Sequence, residues 1–147
     1  MGELESYSGD FPIYGASGLI KRIDRYEADA EYVAIIKDGS GVGRVTHYPA
    51  KTSIINTMQY LFPKENCTVR YLEYLLRYMN LGESRVGSAI PHIYFKDYSK
   101  NQVPVPDIEL QNKFENIAQQ ADKSKFELNN SIAAIDKVIK SLINENL

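Results

Sequence analysis

Several features are scarce in this chain, and each scarcity removes a class of explanation. A single cysteine, Cys67, excludes an internal disulfide framework and fits a reducing compartment. As a lone thiol it reads as an inert buried side chain rather than a nucleophile. Trp is absent. No apolar run approaches the roughly 20 residues of a membrane helix. The acidic N-terminus has neither the basic nor the apolar segment of a signal peptide, so a cytoplasmic location and no membrane partner are expected. Catalytic signatures are scarce as well. Gly39-Ser40-Gly41-Val42-Gly43 lacks the Lys-Ser/Thr ending of a phosphate loop. The segment after it reads as strand, so a dinucleotide fingerprint also fails, and a turn needing positive φ explains the glycines. His47 and His92 are far apart with no carboxylate cluster near them in sequence, so no metal site is expected. There is no nucleophile elbow, no Asn-Pro-Pro-Tyr motif and no nuclease-like group of acidic residues with a lysine. A complete enzyme active site is therefore not expected, nor a cofactor held by this chain.

The charge is unevenly spread. The 147 residues carry a net charge of −2. Residues 1–31 hold seven acidic and three basic side chains, residues 32–106 five and nine, and residues 107–147 seven and five. A basic centre between acidic ends permits a local anion-binding face while predicting weak binding by the isolated chain. Ordinary fluctuation of surface charge accounts for it equally well. The 11 tyrosines offer stacking area and hydroxyls, useful in recognition surfaces and in cores alike.

The chain reads as two parts, residues 1–106 and 107–147. In the first, Asp10 to Gly18 alternates apolar residues with Pro and Gly, which predicts a short edge strand and a tight loop. Tyr32-Val33-Ala34-Ile35-Ile36 is a strand stopped at Lys37-Asp38-Gly39-Ser40-Gly41, and Val42 to Tyr48 is its return. A third run spans Ser53 to Phe62, ending at Pro63. Thr68 is an N-cap, with Val69, Leu72, Leu75, Leu76 and Met79 on one helical face and Gly82 just past the end. A loop over 83–92 leads to a short strand, Ile93-Tyr94-Phe95. Val103-Pro104-Val105-Pro106 must be extended, and Asp107 caps a final helix with Glu109 in its first turn. This is an α+β chain: a small mixed, mostly antiparallel or barrel-like domain followed by a long C-terminal coiled-coil helix.

That helix keeps a seven-residue rhythm. One row runs Leu110, Ile117, Ser124, Ser131, Val138, and the other Phe114, Ala121, Leu128, Ile135, Leu142. Spacings alternate between three and four, the stripe of a helix that needs a partner. The expected helix would reach about 55 Å.

Loops rich in Gly, Ser and Tyr beside basic residues supply the candidate site. Small residues let backbone N–H groups approach phosphates, while Arg, Lys, His and Tyr can bond phosphates or base edges. The strongest candidates are Tyr14, Ser17, Lys37, Arg44, Arg85, Ser88 and His92. For each alone, loop geometry or a solvated charge is at least as good an explanation. Recurrence in three loops is what favours a binding surface.

Four segments in order carry a resemblance: Phe11 to Gly18, Ile36 to Ser40 with Gly43, Gly87-Ser88-Ala89-Ile90-Pro91-His92-Ile93, and Val103 to Pro106 leading to Gln111. Together they resemble the specificity subunit of type I restriction-modification systems, in which a target recognition domain precedes a long helix. The resemblance implies recognition loops at Tyr14–Gly18, Lys37–Ser40 and Gly87–His92, and the family's helix at Asp107–Asn146. The family's full subunit holds two recognition domains apart on two antiparallel helices, each domain reading half of a split DNA site. Methyltransferase subunits dock on the helices and bind the S-adenosylmethionine, and restriction subunits join through the complex. This chain has half that set and lacks the Trp-containing segment that often precedes the domain. An antiparallel homodimer would restore the pair. The expectation is thus a non-catalytic subunit with double-stranded DNA, a methyltransferase subunit and a second copy as partners. Arg44, His47, Arg85 and His92 would read bases, and Lys37, Lys51 and Lys96 would contact phosphate. The alternative is a truncated interaction module that binds methyltransferase without recognising DNA by itself.

Overall fold

The run Tyr32-Val33-Ala34-Ile35-Ile36 forms β3 (Tyr32–Ile36), and every residue of it is buried. In this computed structural model, which describes residues 9–87 and 90–144, the reason is that both faces of the strand are covered. β3 lies between β4 (Val45–Tyr48) and β6 (Met58–Leu61), antiparallel to each, in one of two three-stranded sheets. Tyr32, Ala34 and Ile36 pack with Tyr48, Met58, Ala28 and Ile54. Val33 and Ile35 pack with Val45, Leu76, Leu81 and Ile93. Alternation along one strand feeds two cores, so the sequence shows a continuous apolar run instead of an in-out pattern.

The other sheet has the order β2-β1-β5, from β1 (Phe11–Gly15), β2 (Gly18–Ile23) and β5 (Ser53–Ile54). Pro12 suggested an edge position for β1, yet β1 is central. It forms a bulged hairpin with β2, and β5 joins in parallel at Ile13 and Tyr14 alone. Pro12 falls outside that doubly paired stretch, so its missing N–H does not interrupt the contact with β5.

The run Ser53–Phe62 also divides. A turn closed by Met58 N–H donating to the Ile55 carbonyl (2.9 Å) sends β5 to one sheet and β6 to the other. Tyr60 on β6 then ties the sheets together. Its hydroxyl accepts from the Ile54 N–H at 2.8 Å and donates to the Glu27 carboxylate at 2.7 Å.

Thr68 caps α1 (Val69–Tyr78) as expected, its hydroxyl accepting from the Tyr71 N–H at 3.1 Å. Leu76, with Val69, Leu72 and Met79 partly buried beside it, packs against the β3 face that carries Val33 and Ile35. At the far end Asn80 takes the left-handed conformation (φ 45°), and a 3-10 turn follows over Leu81–Ser84. Gly82 lies within that turn, against the β3–β4 connection. A Cβ placed on Gly43 would be 2.2 Å from its amide nitrogen.

The strand expected at Ile93–Phe95 is not formed. His92 makes isolated bridges to Asp38 and Val86, and one helical turn, α2 (Phe95–Tyr98), starts directly afterwards. That turn lets Tyr98 pack against the second core and donate to Gln59 Oε1 at 3.2 Å.

Asp107 precedes α3 (Ile108–Asn144), a 37-residue helix with Glu109 in its first turn. The chain divides into two compact units, Met1–Ile108 and Glu109–Leu147. On α3 the side chains of Leu110, Phe114, Ile117, Leu128, Ile135, Val138 and Leu142 are all exposed, as are Phe126, Ile132, Ile139 and Ile143. Among the described residues no helix is long and apolar enough to cross a membrane.

Candidate nucleic-acid interface

Three loops distant in sequence meet in the first unit, two of them joined by backbone hydrogen bonds and the third by an arginine side chain. The β3–β4 hairpin is wider than its Asp38-Gly39 dipeptide implied. β4 begins only at Val45, and residues 37–44 form a loop closed by Gly43 N–H donating to the Ile36 carbonyl (2.8 Å). Gly39, Gly41 and Gly43 all have positive φ, at 84°, 82° and 86°, which is why a glycine recurs at every second residue here.

The segment after the 3-10 turn folds against this loop. Gly39 N–H donates to the Pro91 carbonyl (2.9 Å), and Ile93 N–H donates to the Lys37 carbonyl (3.0 Å). A side-chain hydrogen bond reinforces the junction, with His92 Nδ1 2.7 Å from Asp38 Oδ1. The third loop, the β1–β2 turn, is attached by Arg44, whose guanidinium donates to the Ala16 carbonyl.

Two grooves of similar size open here. Gly39, Ser40, Gly41, Val42, Arg85, Gly87 and Pro91 line the first, of about 610 Å³. The second, of about 620 Å³, runs from Gly41 to Thr46 and is completed by Arg77, Asn80 and Gly82. Gly41 and Val42 line both. Among the described residues no carboxylate lines either groove. Arginine guanidinium, serine hydroxyl and glycine backbone are groups that bond phosphate oxygens and base edges.

Of the residues singled out from sequence, Ser40 and Arg85 line the first groove and Arg44 the second. Arg85 is exposed and donates to the Gly82 carbonyl at 3.2 Å. Ser17 is exposed in the β1–β2 turn beside Ala16. Lys37 and His92 are half-buried at the junction of the loops. Lys96 is connected to them through an aromatic ring: its Nζ lies 5.2 Å from the Tyr94 centroid, and Tyr94 stacks on His92 at 6.0 Å.

Three residues are placed differently. Tyr14 is half-buried, its ring 4.4 Å from that of Tyr48, and it packs against the first core. His47 sits within β4 and pairs with Glu31 at 3.3 Å. Lys51 (φ 59°) is in the turn that bonds the Ala28 carbonyl. Ser88 lies outside the described residues.

The tyrosines are divided between core and surface in the same way. Tyr32 is fully buried, 4.8 Å from Tyr60. Burial raises its pKa to about 12, although a hydrogen bond to Thr52 at 2.9 Å opposes the shift. Burial and then the Glu27 hydrogen bond push Tyr60 up further, and burial raises Tyr48. Sequence reasoning passed over exposed Tyr94, whose alternation with His92 and Lys96 was the available signal. It also passed over Arg77, whose place beside Arg44 depends on packing.

Polar loops gathered in a small α+β domain, with guanidinium groups along open grooves, make a surface whose chemistry suits phosphate oxygens and base edges. The chain belongs to the type I restriction modification DNA specificity domain family, which it matches over residues 3–136. It is 26% identical over 137 residues to a Mycoplasma pneumoniae (strain ATCC 29342 / M129) protein assigned as a type I specificity subunit, S.MpnORF285P, covering 89% of this chain and 45% of that one. A likeness in fold extends to the crystal structure of the S subunit of a type I restriction-modification system from M. genitalium. The TM-score is 0.64 at 17% identity, covering 84% of this chain and 34% of the other. The chain thus spans less than half the length of either relative.

Proposed function

We propose that this chain is a DNA-recognition element of a type I restriction-modification system, reading one half of a bipartite site and carrying no catalytic step itself. In this reading the loops around Ser40, Arg44, Arg85 and His92 face the duplex. α3 pairs with the α3 of a second copy running in the opposite direction, which sets two recognition units a fixed distance apart. Methyltransferase subunits, which would bind S-adenosylmethionine, dock on the paired helices, and restriction subunits join through them. The observation that carries the proposal is the convergence of the three loops in a chain whose family is defined by DNA specificity. The exposed apolar stripe of α3 supports the pairing.

Arg85 is the sharpest test, because it is exposed in the first groove and its guanidinium has donors to spare. Arg85→Ala should weaken binding of the cognate duplex by about 1–3 kcal/mol and of a random duplex by much less. Equal loss on both would refute a base-reading role. The exposed α3 face also favours a second reading, an interaction module that captures methyltransferase without recognising DNA. Titrating DNA into the chain, with and without a methyltransferase subunit, separates the two. Sequence-selective binding in either arm supports recognition, and its absence in both supports capture.

A further inference from the structure

We propose that the second groove is a phosphate-backbone station, with Arg77 at the end of α1 acting together with Arg44. The inference rests on the DNA-recognition reading and adds to it a contact on the helix, outside the recognition loops. Arg44 and Arg77 come from segments more than thirty residues apart, yet both line one groove, with no carboxylate among the described residues of its wall. Both guanidiniums are anchored on one side and open on the other. Arg44 donates to the Ala16 carbonyl, and Arg77 Nη2 donates to Glu73 Oε1 at 2.7 Å. A guanidinium has five N–H donors, so several on each remain for a ligand.

Glu73 explains why Arg77 is held in place. Its carboxylate side chain is 3% exposed and is bonded by two arginines, Arg70 at 2.8 Å and Arg77 at 2.7 Å. One carboxylate between two guanidiniums leaves a net positive charge on this face of α1. The Arg77 guanidinium also lies over the Tyr74 ring at 5.8 Å, so its order is largely established before a ligand arrives. Met79 and Asn80 end the helix at the groove. The helix dipole there disfavours an anion, and Arg77 in the last turn offsets it. Planar, pre-positioned guanidiniums suit the oxygens of a phosphodiester better than a mobile ammonium would. Gly41 and Val42, shared by both grooves, place this station beside the surface that carries Arg85. Phosphate contact here would set the orientation of the duplex and carry no sequence information.

Glu73 supplies the control, since Arg70 bonds it as Arg77 does but does not line the groove. The experiment measures binding of a mixed-sequence duplex by the full chain, assembled with a methyltransferase subunit, between about 50 and 200 mM salt. Arg77→Gln should lower the slope of log affinity against log salt by about one. The affinity lost across that range should then be about 3.5-fold smaller than for the unaltered chain. Arg77→Lys should keep most of the slope, and Arg70→Gln all of it. If Arg77→Gln leaves the slope unchanged, or if the Arg70 and Arg77 variants shift it alike, Arg77 only supports Glu73 and the proposal is overturned. Failure of the unaltered complex to bind any duplex would overturn the DNA-recognition reading, and this inference with it.

Discussion

Replacing Gly43 by alanine should damage this protein more than the same change four residues earlier, and the structure gives the reason for the difference. Gly39 and Gly43 have nearly the same backbone conformation, φ 84° and 86°. Each alanine therefore incurs the cost of holding an L-residue at positive φ, about 1–2 kcal/mol. Their surroundings are opposite. A Cβ on Gly39 meets nothing within 4 Å, whereas a Cβ on Gly43 would sit 2.2 Å from the amide nitrogen and 2.5 Å from the Cα of Gly82. Those atoms are backbone, and neither can rotate away. Separating loop and turn needs a backbone shift, so overpacking adds about 1–3 kcal/mol. Gly39→Ala should thus cost about 1–2 kcal/mol and Gly43→Ala about 2–5 kcal/mol. Urea unfolding of the two variants, followed by far-UV circular dichroism because the chain has no Trp, measures both. The same shift moves Arg44 along the second groove, so on the proposed DNA-recognition reading Gly43→Ala should also weaken duplex binding. Equal destabilisation within about 0.5 kcal/mol would refute the close approach of the two glycines.

Other outcomes rest on the cores and the helix. Burial raises the pKa values of Tyr32 and Tyr98 to about 12, with Tyr48 and Tyr60 also raised. Unfolded tyrosine ionises near pH 10, so stability is unaffected below that and is lost as pH rises from about 10 to about 12. For fully buried Tyr32 the loss should be about 1.4 kcal/mol per pH unit, seen as phenolate absorbance that appears together with unfolding; full ionisation of the folded protein at pH 10 would contradict it. Glu73→Ala should destabilise by about 1–2 kcal/mol, less than a fully buried pair would, because Arg70 and Arg77 are 43% and 47% exposed and can rehydrate. Chemical denaturation measures that cost. If α3 pairs with a second copy as proposed, Ile135→Asp on its exposed stripe should convert that dimer to a monomer in sedimentation with its helix content kept. A dimer of unchanged strength would remove Ile135 from the pairing face.

The parts legible from sequence were those in which cause and effect lie a few residues apart. Thr68 caps α1 because its own hydroxyl reaches the Tyr71 N–H. The glycines of 39–43 mark positive φ because each acts on its own backbone. The 110–142 periodicity gives one long helix because its hydrogen bonds span four residues. Where two partners far apart had to find each other, sequence reasoning stopped short. Ser53–Phe62 reads as one strand, but Ser53–Ile54 pairs with β1 forty residues earlier, while Met58–Leu61 pairs with β3. Ile93–Phe95 has strand composition, yet only His92 before it forms bridges, to Asp38 and Val86, and a helical turn that lets Tyr98 pack begins at Phe95.

The candidate site divides along the same line. Residue order was enough to put Ser40, Arg44, Arg85 and His92 in glycine-rich loops, since loop chemistry is local, and to reveal the resemblance to a specificity subunit. Folding in three dimensions was needed to make the loops converge, to bring Asp38 to His92, and to set Arg77 with Arg44 along one groove. It also drew Tyr14 onto the first core. The physical reason is that a residue's type fixes which bonds it can make, whereas its partner is selected by the packing of β3 against two cores at once, which no short stretch of chain encodes.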